Sequence, residues 1–152
     1  HLFLTIGERG DAKAAQDLSR HNGKIVRLNR DGSVPADNPL VDRHGAEPAI
    51  WSYGHRNPQG AALDATGRLW AVEHGAMGGD EVNRIAKGAN YGWPVIGYGI
   101  DYSGSKIHDG TARDGMEQPV HVWVPSVGVS GLMLYTGNKF PGWKGNLFAG
   151  GL

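Results

Sequence analysis

The sequence has 152 residues, and its fifteen lysines and arginines balance fifteen aspartates and glutamates, so no bulk field draws it to nucleic acid or an anionic membrane. It has no cysteine, which removes disulfides and thiolate metal sites, and no apolar run approaches the roughly 18 residues of a membrane span. The 25 glycines, far above a usual share of about 7%, predict short strands joined by tight turns.

In chain order, Leu2–Ile6 is a compact apolar run stopped by Gly7 and reads as a strand. Asp11–Leu18 is the one helix-like stretch, either two turns of helix or a polar excursion between strands. Lys24–Asn29 alternates in polarity and runs into the turn Arg30-Asp31-Gly32. Pro35–Glu47 has no periodicity and reads as a loop. Strands follow at Ile50–Tyr53, Ala61–Leu63, Leu69–Glu73, Glu81–Ile85, Val120–Val124, Leu132–Tyr135 and Leu147–Ala149, with a turn at Asp64–Gly67. The polar, glycine-containing stretch Tyr98–Gln118 is expected to be a surface loop.

One pattern recurs: a leucine, an aromatic or apolar partner, small residues, then glycine. It begins at Leu2, Leu69 and Leu147. A recurring strand of this kind, with other short strands between, is what β-propeller blades produce, and such a ring needs about four blades or more of four strands each. The expectation is therefore an all-β chain in which residues 1–152 form one unit of about two to three blades, a piece of a larger propeller. A β-sandwich, which requires no repeat, ranks second.

The densest polar cluster follows an apolar run: His55-Arg56-Asn57-Pro58-Gln59-Gly60. Arg56 offers a planar, permanently charged fork for anionic oxygens, and Asn57 adds a donor and an acceptor. The competing reading is a loop arginine in a surface ion pair, beside an Asn-Pro turn. Glu73-His74-Gly75-Ala76-Met77-Gly78-Gly79-Asp80-Glu81 mixes carboxylates with free backbone carbonyls, a set that suits a calcium ion, although it lacks EF-hand spacing and also reads as a β-turn with solvated acids. None of the seven histidines has the spacing of a zinc helix, so each reads as a loop or surface residue, His74 being the best exception. The five tryptophans are expected in core packing. No Gly-x-Ser-x-Gly elbow is present.

Gly54-His-Arg-Asn-Pro-Gln-Gly60, Glu73-His-Gly75 with Gly79-Asp-Glu-Val-Asn83, Ala89-Asn-Tyr-Gly-Trp-Pro94, Gly115-Met-Glu-Gln-Pro119 and Gly23-Lys-Ile-Val-Arg-Leu-Asn29 together resemble the soluble pyrroloquinoline quinone (PQQ)-dependent sugar dehydrogenases. The nearest branch is the bacterial aldose sugar dehydrogenases of the glucose/sorbosone dehydrogenase family. The resemblance implies a six-bladed β-propeller with about half the ring in this chain. It also implies oxidation of aldoses to lactones with hydride passing to PQQ, held beside Ca2+. By motif, Arg56 and Asn57 correspond to the pair that contacts PQQ, and the carbonyls of Gly75 and Ala76 to the calcium ligands. Ala76 stands where the family usually has proline and keeps the carbonyl without the fixed φ. Glu8 stands where the family has an aspartate that orients the catalytic histidine.

The general-base histidine and a PQQ-binding lysine of the family are expected outside these residues, so the segment is read as an internal fragment, inactive alone. The implied partners are an aldose, an electron acceptor and a second copy in a homodimer, in a periplasmic or secreted protein. The rival reading is a non-catalytic β-propeller binding module of the same family, and a third is a calcium-dependent lactonase.

Overall fold

A computed structural model describes residues 1–152 as nine strands and two short 3-10 helices. Strands β1 (Leu2–Ile6), β2 (Lys24–Leu28) and β3 (Ile50–Tyr53) form one sheet in that order. Strands β4 (Pro58–Leu63), β5 (Leu69–Glu73), β6 (Asp80–Ile85) and β7 (His121–Trp123) form a second, and β8 (Leu132–Leu134) pairs with β9 (Leu147–Ala149) in a third. Every pairing is antiparallel, so the chain is all-β, as expected.

The recurring leucine pattern occupies equivalent places. Leu2, Leu69 and Leu147 each open their strand. Leu69 faces Ile85 in the following strand as Leu2 faces Leu28, and it faces Leu63 in the preceding strand as Leu147 faces Leu134. The cross-strand pairing of the opening leucine is thus shared between these strands.

Ile25, Leu69, Ala71, Ile85 and Tyr91 form the core, with Phe3, Trp51 and Ala89 packed against it. Strand β2 is buried from Lys24 to Arg27 because it lies between two neighbours. That burial takes in Lys24, whose ammonium donates to the carbonyls of Ala14 at 2.8 Å and Asn22 at 2.7 Å. Burial pushes this lysine down to about 8.

Of the two readings of the helix-like stretch, the excursion between strands holds: it runs between β1 and β2 and contains the 3-10 helix Ala12–Gln16. Ala14 and Ala15 are buried against the body of the chain, and Asp17 turns extended at the end, so the docking of one short turn, not helical periodicity, sets its length. Strand β4 begins at Pro58 rather than Ala61. It is an edge strand with a register shift between Pro58 and Gly60, the setting in which a residue lacking an N–H is tolerated. Residues 98–118 contain no strand, only isolated bridges such as Met77 with Ile100 and Ile96 with Gly110. No helix is long and apolar enough to cross a membrane.

Candidate active site

The β4–β5 register places Pro58 opposite Glu73, so the loop from β3 into β4 lies beside the loop from β5 into β6. The amide of His74 donates to the Asn57 carbonyl at 3.1 Å and ties the two together. Between them and the 91–99 segment lies a narrow cleft whose lining includes Arg56, Gly75, Ala76, Glu81 and Trp93. A second, open recess is lined by Glu8, Arg9, Gly10, Arg56 and Asn57. The structure therefore brings Glu8, Arg56 and Asn57 to one recess and Arg56, Gly75 and Ala76 to the other. Arg56 borders both.

Arg56 takes part in none of the ion pairs, so the surface ion-pair reading is set aside. Its guanidinium lies 5.3 Å from the Trp93 ring centroid, a cation–π arrangement, and donates to the His74 carbonyl at a long 3.5 Å. Trp93 meets His108 edge-on at 5.2 Å, and His108 bonds through Nδ1 to the Pro94 carbonyl. Trp93 is thus a wall of the cleft, where core packing was expected of it.

Two of the histidines are loop residues as expected, but enclosed rather than on the surface. His55 is fully buried and His108 nearly so. His55 Nδ1 lies 2.9 Å from Glu73 Oε1, and its Nε2 lies 2.9 Å from Ser52 Oγ. The ring stacks on Tyr91 at 4.7 Å. Glu73 Oε1 also accepts from Asn83 Nδ2 at 3.0 Å, while Oε2 accepts the backbone N–H of Arg56 at 2.7 Å. The Ser-His-Glu line looks like a nucleophile relay, but Ser52 is wholly inaccessible, so no substrate reaches it. Only the apolar spacing of Ile50, Trp51 and Tyr53 around Ser52 hinted that the segment was interior.

The 74–79 turn is held from below by Asp80. Its Oδ1 accepts from Gly75 N at 2.9 Å, and its Oδ2 accepts from the N–H groups of Val127, Gly128 and Val129 at 3.1, 2.7 and 3.2 Å. Burial alone would raise this carboxyl, but the hydrogen bonds outweigh it and the net shift is downward. A Cβ at Gly75 would collide with the backbone of Gly78 and Gly79, so the turn is compact enough to require glycine there. Glu81 behaves oppositely. Burial, and then the negative charges of Glu73 and Asp80, push it up to about 8 against a single favourable bond from Asn83.

No group of three or more acidic or histidine side chains gathers to hold a metal ion. The available hard ligands are backbone oxygens. Neither the Gly75 nor the Ala76 carbonyl accepts a backbone hydrogen bond, and Ala76 O receives only the Tyr102 hydroxyl at 3.4 Å. Gly75 and Ala76 both line the cleft, and backbone oxygens are ligands of the kind a calcium ion takes. In the other recess Glu8 is 8% exposed and its Oε2 has no hydrogen-bond partner, an acceptor left unused within this chain.

Comparison with known proteins bears on the same residues. The family model described as Glucose / Sorbosone dehydrogenase matches residues 1–152. The aldose sugar dehydrogenase YliI of Escherichia coli (strain K12) is 48% identical over 155 residues, covering 100% of this chain and 42% of its own length. The chain thus spans less than half of that relative. The crystal structure of the soluble aldose sugar dehydrogenase from Escherichia coli in its apo-form superposes with a TM-score of 0.95 at 48% identity, over 99% of this chain and 44% of that one. The PQQ-bound form of aldose sugar dehydrogenase from Streptomyces coelicolor gives a TM-score of 0.69 at 36% identity, over 86% of this chain and 35% of that one. With the whole chain matched, and the fold shared with solved sugar dehydrogenases, this protein belongs to the glucose/sorbosone dehydrogenase family.

Proposed function

We propose that the full-length protein is a PQQ- and calcium-dependent aldose dehydrogenase that oxidises the anomeric carbon of an aldose to the lactone. The observation that carries this reading is the position of Arg56, shared between the recess of Glu8 and Asn57 and the cleft of the Gly75–Ala76 carbonyls. When bound, PQQ supplies the hydride acceptor and calcium the Lewis acid that polarises it. Arg56 directs a fixed cation at the anionic oxygens of the cofactor, and Asn57 beside it adds an amide donor. The carbonyls of Gly75 and Ala76 hold the metal. Trp93 and Tyr98 wall the cleft against water. The unpartnered Glu8 oxygen receives the N–H of the general-base histidine that the family supplies from elsewhere, keeping its other nitrogen free to take the sugar hydroxyl proton.

The sheets suit this architecture as three of the last strands of one blade, one complete blade and two strands of a third, in a ring of six. The same reading expects a periplasmic or secreted enzyme, an external electron acceptor and a homodimer. The test is aldose-dependent dye reduction by the full-length protein, with PQQ and Ca2+ added singly and together. Activity only with both is the expected result. No activity from folded protein with both present overturns the reading in favour of a binding module, and hydrolysis of lactones without PQQ would favour the lactonase.

A further inference from the structure

We propose that Glu73 and His55 are positioning residues for Arg56, acting through its backbone; the inference rests on the reading of Arg56 as a cofactor contact. Arg56 is half-buried at the border of two cavities, and its guanidinium has only one long hydrogen bond and the Trp93 face to hold it. Its main chain is held far more firmly. The Arg56 amide donates to Glu73 Oε2 at 2.7 Å, and its carbonyl accepts from Glu8 N at 2.9 Å. The first of these bonds reaches across 17 residues, and its acceptor is itself oriented by two side chains.

The donor directions follow from chemistry. A carboxylate at Glu73 only accepts, so His55 Nδ1 carries the proton toward it, and Nε2 is left to accept from the Ser52 hydroxyl. The line therefore runs Ser52 to His55 to Glu73, with Asn83 and the Arg56 amide completing the carboxylate. His55 cannot swing, because Tyr91 stacks on its face. The members behind Arg56 are buried, and the network reaches the cleft at Arg56 and, through the bond from Asn83 to Glu81 Oε2 at 3.0 Å, at Glu81. The dry core thereby fixes where the guanidinium stem begins. A displacement of about 1 Å at a reacting group can cost about 10²-fold in rate.

The test is a double-mutant cycle in the full-length holoenzyme. Glu73→Gln keeps an oxygen for the Arg56 amide but sets its NH2 against the donors of His55 and Asn83. The expected result is a fall in kcat of about 10²-fold with little change in the KM for sugar, and a loss below about 3-fold when the same change is made on Arg56→Ala, since residues acting as a unit are not additive. Ser52→Ala is the milder variant should Glu73→Gln not fold; its smaller loss should likewise vanish on Arg56→Ala. Losses that add in both backgrounds overturn the proposal, because they mark a general structural role.

Amide hydrogen exchange of the cofactor-free protein gives a readout independent of activity. Glu73→Gln should accelerate exchange at Arg56 while Ala71 and Val72 in β5 stay protected. Unchanged exchange at Arg56, or equal acceleration in β5, overturns the proposal. If the wild-type protein oxidises no aldose, the functional reading fails by itself and the exchange comparison still decides whether Glu73 holds Arg56.

Discussion

Acidic residues play two different parts in this chain. On the surface, Asp31, Asp64 and Asp101 fold back on their own neighbourhood. Asp31 accepts from Ser33 N at 3.0 Å, Asp64 from Thr66 N at 2.9 Å and Asp101 from Ser103 N at 2.8 Å, each joined by the hydroxyl of the same partner. In the interior, Glu73 reaches His55 and Arg56, and Asp80 reaches Val127, Gly128 and Val129. The surface acids make turns that any chain with Asp-x-Ser or Asp-x-Thr can make. The interior acids join segments that are distant in sequence, and they are buried, so a lost partner leaves a polar group enclosed and unpaired. The same side-chain chemistry is thus cheap to remove in one place and costly in the other.

That contrast gives ordered expectations, all for the full-length protein. Arg56→Ala should lower aldose turnover by about 10²- to 10³-fold, the range for removing one preorganised donor to a developing anion; unchanged turnover would detach the interior network from catalysis. Asp80→Ala should destabilise by about 3 kcal/mol in urea denaturation, because four backbone N–H groups lose their acceptor. Gly75→Ala should weaken calcium binding about 10-fold by calorimetry, since the new methyl forces the carbonyl turn to shift; unchanged affinity would remove these carbonyls as ligands.

The pH dependence of stability should differ in sign between Glu81 and the acids whose carboxylates are well hydrogen-bonded, Asp31 and Asp80. Glu81 is raised from 4.5 to about 8, so the folded state holds a proton that the unfolded state has lost. Relative to Glu81→Gln, the wild-type protein without added calcium should lose stability as pH rises from 4.5 to 8. Lys24 is lowered from 10.5 to about 8, so relative to Lys24→Met the wild type should gain stability from pH 8 to 10.5. Asp31 is lowered by the Ser33 hydroxyl and amide, and its contribution is lost only as pH falls below the ordinary carboxylate range. Denaturation midpoints across pH check all three. The smallest expected effect is Asp31→Ala at neutral pH, a slight fall in the midpoint; a fall as large as that of Asp80→Ala would end the distinction between surface and interior acids.

The elements of the fold were legible wherever the signal is local. Leu2–Ile6, Ile50–Tyr53, Leu69–Glu73 and Leu147–Ala149 are strands with the bounds read from apolar runs ended by a charge, turn or glycine. The threefold leucine pattern correctly marked equivalent strands. Family membership also lay in the motifs, because side-chain type and spacing are linear properties of the chain.

Tertiary structure decided what those residues meet. It made Pro58 a strand residue by placing it on a sheet edge, and it cut Asp11–Leu18 to one short turn by docking Ala14 and Ala15. Trp93 became a wall for Arg56, and His55, expected as a loop or surface residue, became an enclosed loop residue that links Ser52 to Glu73. None of these is encoded as a local pattern. Burial and hydrogen-bond partners are set by contacts between segments far apart in the chain, and whether a polar side chain is solvated or enclosed depends on those contacts rather than on its neighbours in sequence.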